Sequence, residues 1–246
     1  MRLRIACLLT LAVIAACAGS DTRDRLLVSA AASLTDAFRD IESAFETDHP
    51  DVDVVLNLGA TSALREQILE GAPVDVFASA NTANMGAVVD AGAVDGEPSI
   101  FAINRLEIAV PTSNPAGVTG LSDFARDELL IGLCAEAVPC GDFARQALAN
   151  GGVTPRIDTN EPDVRALLTK IEAGELDAAI VYATDVLSAS GSVEGVAIPD
   201  EDNVPAEYPI AVLRDAPNPE VAKAFVAFVH SNAGREILAT YGFGPR

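Results

Sequence analysis

The sequence predicts an α/β fold of two lobes, each a mainly parallel sheet flanked by helices, with a cleft between them. Three observations predict it. Residues 26–92 alternate short apolar runs with stretches of helical period, β-α-β-α-β-α, the mark of a parallel sheet covered by helices. The alternation begins again at Arg105 and runs to Tyr182. The chain has 246 residues, half of them hydrophobic, enough for one large core or two small ones, and no repeat, low-complexity run or flexible linker divides it.

Residues 26–30 read as a short buried strand. Over 33–49 the apolar residues Leu34, Ala37, Phe38, Ile41, Ala44 and Phe45 fall at helical spacing. Residues 52–58 alternate and read as a second strand. Residues 62–70 place Leu64, Ile68 and Leu69 on one helix face, and Gly71-Ala72-Pro73 ends that helix. Residues 74–80 read as a third strand, and 81–92 as a helix stopped by Gly92. The second unit opens with a strand at 105–111 and a short helix at 121–125. A strand at 129–134, a helix at 143–150, a short strand at 155–157 and a helix at 164–173 follow. Residues 176–182 form a buried strand, 209–213 another, and 220–240 close the chain with long helices. With no linker present, short connections or crossing strands join the lobes, and 105–111 and 208–213 are the candidates. Lobe one is then discontinuous, 26–104 with 211–246, and lobe two is 105–210.

The N-terminus reads as an address rather than as fold. Arg2 and Arg4 form a basic start, and an apolar run through Ala16 follows. Val13-Ile14-Ala15-Ala16-Cys17 resembles the lipobox of bacterial lipoproteins, in which the cysteine is lipidated and becomes the first mature residue. Residues 1–16 are thus expected to be a signal peptide, Cys17 the lipid site and 17–25 a polar tether. The run is shorter than the ~20 residues a membrane-spanning helix needs. A net charge of −20 argues against nucleic acid and against an anionic membrane surface as partners, so the membrane would be met only through the lipid. Cys134 and Cys140 remain as an even pair in an exported chain, which favours a disulfide over free thiols. A metal pair is disfavoured, because neither His49 nor His230 is near them in sequence.

Four places share one pattern: a strand or loop ends, small or hydroxyl residues follow, and a helix begins. They are Ala30-Ala31-Ala32-Ser33-Leu34-Thr35, Gly59-Ala60-Thr61-Ser62, Val138-Pro139-Cys140-Gly141 and Glu161-Pro162-Asp163-Val164. The first N–H groups of a helix have no internal partner, and the helix dipole adds positive potential there. Such an end holds an anion without any formal positive charge. Each start taken alone is an ordinary N-cap; only the set points to a site.

Ala30-Ala31-Ala32-Ser33-Leu34-Thr35-Asp36-Ala37-Phe38 closely resembles the opening of the periplasmic molybdate-binding proteins of ABC importers. So does Thr61 to Ile68 running into Gly71-Ala72-Pro73-Val74-Asp75-Val76-Phe77-Ala78-Ser79-Ala80. Val138-Pro139-Cys140-Gly141, Asp163-Val164-Arg165-Ala166-Leu167, Gly174 to Tyr182, Glu207-Tyr208-Pro209-Ile210-Ala211-Val212 and Tyr241-Gly242-Phe243 match in order and spacing. The resemblance covers nearly all of 26–244. It implies a type II periplasmic-binding-protein fold that captures molybdate or tungstate outside the cytoplasmic membrane and hands it to an import permease. It also implies a monomer, no cofactor and no free metal cation. Its oxyanion contacts fall on Ser33 (hydroxyl and N–H), Thr61 (usually serine in the family), Cys140 (N–H, commonly alanine), Val164 (N–H) and Tyr182 (phenol). Ser62 is a secondary candidate. A Cys134–Cys140 bond would stiffen the loop that presents the Cys140 N–H.

This set holds donors and no base. Molybdate and tungstate are fully deprotonated at neutral pH and need only donors. Phosphate keeps a proton and wants an acceptor. Asp163 could serve as one, but its more ordinary role is N-cap of the following helix. Sulfate also needs only donors, so sulfate or a small organic anion is the alternative ligand. A serine hydrolase built on Ser33 is the distant rival, because such chemistry needs a base and neither histidine is placed by sequence to serve.

Overall fold

The computed structural model describes residues 23–245, so the expected signal peptide, Cys17 and most of the tether lie outside the described residues. The first half runs β1 (Asp24–Ala31), a 3₁₀ turn (Ala32–Leu34), α1 (Thr35–Asp48), β2 (Val52–Gly59), α2 (Thr61–Leu69), β3 (Val76–Ala78), α3 (Thr82–Asp90) and β4 (Ser99–Asn104). The second half runs β5 (Leu106–Pro111), a 3₁₀ turn (Leu121–Ala125), β6 (Ile131–Cys134), α4 (Pro139–Asn150) and β7 (Thr159–Glu161). It continues with α5 (Val164–Glu172), β8 (Ala178–Tyr182), α6 (Ala183–Ser188) and β9 (Val193–Ala197). The chain then returns through β10 (Ala206–Val212) to α7 (Pro219–Val229) and α8 (Asn232–Thr240).

These strands make two five-stranded sheets, β2-β1-β3-β10-β4 and β7-β6-β8-β5-β9, one per lobe. The two orders follow the same plan. In each, one strand pairs parallel with both neighbours, as the β-α-β pattern requires: β1 with β2 and β3, β6 with β7 and β8. Each sheet then takes a strand beside a crossing, β10 or β5, which pairs antiparallel on both sides. The sheets are therefore mixed rather than mainly parallel. Two-lobe architecture holds, with a first crossing at Arg105, between β4 and β5. The second comes before Ala206, because Ala206–Tyr208 pair with Ala102–Asn104 of β4. Residues 206–210 therefore belong to the first sheet, not to lobe two.

Several elements depart from the sequence reading. The strand expected at 155–157 lies at Thr159–Glu161, against Gly132–Cys134 of β6. The helix expected from 143 starts at Pro139, whose fixed φ and missing N–H suit a first helical position. The closing helices break at His230–Ser231, where the Ser231 hydroxyl caps the Gly234 N–H at 3.1 Å. Strands β4 and β9 and helix α6 were not foreseen at all.

The core sits between sheets and helices. Leu26, Val28 and Ala30 on β1 are fully buried and pack under α1, whose Phe38 and Phe45 meet Phe225 of α7 edge-on. Buried Asp75 ties the return to this core: its carboxylate accepts the Leu27 N–H at 2.8 Å and the Asn218 N–H at 2.7 Å, at the start of α7. Among the described residues, no helix is long and apolar enough to cross a membrane.

Candidate functional site

The two lobes meet around a small cavity of about 20 Å³. That is far below the ~300 Å³ at which pockets for drug-sized ligands begin. Ser33, Thr61, Cys140, Val164 and Tyr182 all line it, the first two from lobe one and the last three from lobe two. Ser62 does not line it. The rest of the wall is built of small residues (Ala31, Ala32, Gly59, Ala60), so a solute can approach the backbone closely.

Local sequence explains each position. Chain leaving β1 and β2 turns at once into a helix, and no side chain caps the 3₁₀ turn or α2. Their first N–H groups thus have no local partner. At α4, Pro139 has no N–H, and the N–H groups of Gly141 and Asp142 both bond the Val138 carbonyl at 3.0 Å. The Cys140 N–H is left as the donor at the head of that helix. Cys140 is bonded to Cys134, the last residue of β6. At α5, Asp163 is the N-cap and accepts the Ala166 N–H at 2.9 Å, and Val164, the first residue of the helix, lines the cavity. Among the described residues, Asp163 is the only charged one in the wall, and no Lys or Arg lines it.

Three side-chain hydroxyls face the cavity, those of Ser33, Thr61 and Tyr182. Ser33 is buried, and its Oγ lies 2.8 Å from the Tyr208 hydroxyl. Thr61 Oγ1 accepts the Ala80 N–H at 3.3 Å, so its own proton is available to a solute. Tyr182, at the end of β8, is 1% exposed, and its hydroxyl finds no hydrogen-bond partner among the described residues. Burial, with Tyr208 and the Asp185 carboxylate nearby, holds the Tyr182 phenol well above its ordinary range, so it stays protonated. A buried orphan hydroxyl costs free energy unless something outside the chain takes its proton.

Three features behind the wall escaped the sequence reading. Tyr208 is fully buried among Phe101, Tyr182 and Phe243. Asp185 is fully buried under α5; it accepts the Tyr182 N–H at 3.2 Å and faces Arg165 Nε at 3.5 Å. Arg165 reaches across the lobes to Asp36 Oδ2 at 2.5 Å and to the Ala32 carbonyl at 3.4 Å. Tyr208 and Arg165 lay inside recognised sequence motifs, but nothing local marked their partners. Neither histidine faces the cavity. His49 stacks on Phe45 with ring centroids 4.1 Å apart, and His230 Nε2 meets Ser99 Oγ at 2.7 Å. Ser33 thus has no histidine base beside it.

Two α/β lobes of one topological plan, closing on a cavity lined by hydrogen-bond donors from both, define a solute-binding protein of the two-lobe type II class. The family model for bacterial extracellular solute-binding proteins matches residues 26–244, and the chain belongs to that family. The molybdate-binding protein ModA of Mycobacterium tuberculosis is 38% identical over 218 residues, which cover 89% of this chain and 84% of that protein. Among solved structures, the sulfate-binding protein SubI of Mycobacterium tuberculosis matches at TM-score 0.81 and 18% identity, over 91% of this chain and 87% of that one. The periplasmic molybdate-binding protein of Azotobacter vinelandii matches at TM-score 0.78 and 19% identity, over 90% and 99%. At such identities the two structures speak for the fold alone.

Proposed function

We propose that this protein captures molybdate or tungstate outside the cytoplasmic membrane and delivers it to the permease of an ABC importer. The observation that carries the reading is the wall of the cavity: hydroxyls and helix-start N–H groups from both lobes, no cation, and one carboxylate committed to a helix cap. Such a wall suits a small, fully deprotonated tetrahedral anion. Hydrogen bonds to a charged group contribute roughly 1.5–3 kcal/mol each, so five to seven offset the loss of hydration. The name of the 38% identical relative points to the same ligand.

In this reading Ser33, Thr61 and Tyr182 donate hydroxyls, and Ser33, Cys140 and Val164 donate backbone N–H groups. The protein is a carrier and not an enzyme, works as a monomer and needs no cofactor. The lobes open and close about the crossings, and the permease reads the closed form. Residues 1–16 direct export, Cys17 carries the lipid, and 17–25 tether the domain to the membrane's outer side.

Calorimetric titration at pH 7 with molybdate, tungstate, sulfate and phosphate tests it. One-to-one binding of molybdate and tungstate, with phosphate binding only weakly, is the expected result. Sulfate is the second reading, because it too is fully deprotonated at neutral pH and needs only donors, which the wall supplies. Tightest binding of sulfate would replace the ligand and keep the carrier role. Silence toward all four would overturn the assignment of the cavity.

A further inference from the structure

We propose that Tyr208, one layer behind the cavity, is a specificity-determining residue: its hydroxyl donates to Ser33 Oγ and so forces Ser33 to present a proton, not a lone pair, to the solute. The proposal rests on reading the cavity as an oxyanion site.

The polarity follows from a chain of buried groups. The Arg105 N–H donates to Asn104 Oδ1 at 2.9 Å, which fixes the amide so that its NH₂ faces the other way. That NH₂ donates to Thr184 Oγ1 at 2.9 Å and, more weakly, to Tyr208 Oη at 3.5 Å. A phenol that accepts from an amide has one proton left to give. Its available acceptor is Ser33 Oγ at 2.8 Å, because Tyr182 makes no hydrogen bond to it. Ser33 Oγ, already accepting, turns its own proton away from Tyr208, toward the cavity it lines. Thr61 is set by the same device, with the Ala80 N–H as the donor behind it. The two hydroxyls of lobe one thus face the solute as donors, and an oxyanion that keeps a proton meets no acceptor there. Selection against protonated anions is built behind the wall rather than in it.

Tyr208→Phe tests this while keeping the ring packed against Phe101 and Phe243. The variant frees Ser33 Oγ to rotate and to accept from a protonated anion. Wild type, Tyr208→Phe, Ser33→Ala and the double variant are titrated with molybdate, sulfate and phosphate. Phosphate, alone of the three, keeps a proton at neutral pH. In Tyr208→Phe the preference for molybdate over phosphate should fall at least about tenfold, equivalent to ~1.4 kcal/mol. Preference for sulfate over phosphate should fall with it. In the Ser33→Ala background the same change should move either ratio less than about twofold, because the hydroxyl being oriented is gone. Equal weakening of all three anions by Tyr208→Phe, or the same ratio shift with Ser33 absent, would make Tyr208 a packing residue and overturn the proposal. Wild-type protein silent toward molybdate and sulfate would overturn the oxyanion reading itself, a failure visible before any variant is made.

Discussion

Two wall residues, Tyr182 and Ser33, look alike as donors but differ in what they cost the protein. Tyr182 holds a buried hydroxyl with no hydrogen-bond partner among the described residues. Tyr182→Phe therefore removes an unsatisfied polar atom without opening a cavity. Thermal stability of the ligand-free protein should be unchanged or higher, while affinity for molybdate falls tenfold or more per lost donor. Ser33→Ala lowers affinity comparably, but it leaves the Tyr208 hydroxyl without its 2.8 Å partner and should cost about 1–3 kcal/mol of stability. Melting curves with calorimetry on both variants check the contrast. A Tyr182→Phe protein that binds as wild type would remove the phenol from the site. All five residues that motif resemblance put at the cavity line it, and four of them sit at helix starts, which are written locally in sequence. Tyr208 was not legible as a partner of Ser33, because 175 residues separate them and only the fold brings them together.

The elements tell the same story by length and burial. Helices α1 and α5 were readable because each buries one face over enough residues to set a period, and strands β1 and β8 because each is a continuous apolar run buried on both faces. Helix α6 has six residues, too few for a helical repeat to stand out. Strand β9 is at a sheet edge, and Glu194 and Gly195 interrupt its apolar pattern. The head of α4 is where element and site meet. The Cys134–Cys140 bond spans six positions and ties the end of β6 to the first turn of that helix. A Cβ on Gly141 would lie 2.0 Å from the Ala135 carbonyl oxygen, so only glycine allows this loop to close on its helix. Replacing both cysteines by serine should cost about 2–3 kcal/mol by loop entropy and weaken oxyanion binding, because the Cys140 N–H is then less firmly held. Gly141→Ala should weaken binding with the disulfide intact. Affinities unchanged in both variants would show that the loop needs no bracing.

At the scale of the molecule, Arg165 is a side chain that bridges the two lobes beside the cavity. It follows Val164 on α5, grips Asp36 and the Ala32 carbonyl of the other lobe, and covers Asp185. The Asp36 pair is about one-third exposed, so salt weakens it. Arg165→Gln should loosen the closed form, lowering affinity several-fold and reducing its salt dependence, as titrations at low and high salt would read. Asp185 adds a pH dependence. Burial pushes its carboxyl up to about 7, against the opposing pull of Arg165 and the Tyr182 N–H, with Asp36 and Asp163 adding to the rise. The unfolded chain loses that proton near pH 3.8, whereas the native protein keeps it to about pH 7. The native state therefore binds the extra proton between those limits, and stability falls as pH rises through that window. Asp185→Asn keeps an acceptor for the Tyr182 N–H and removes the titration. Relative to wild type its melting temperature should rise progressively from pH 5 to pH 8. Parallel curves for the two proteins would show that Asp185 is already ionised in the native state, with Arg165 fully compensating its burial.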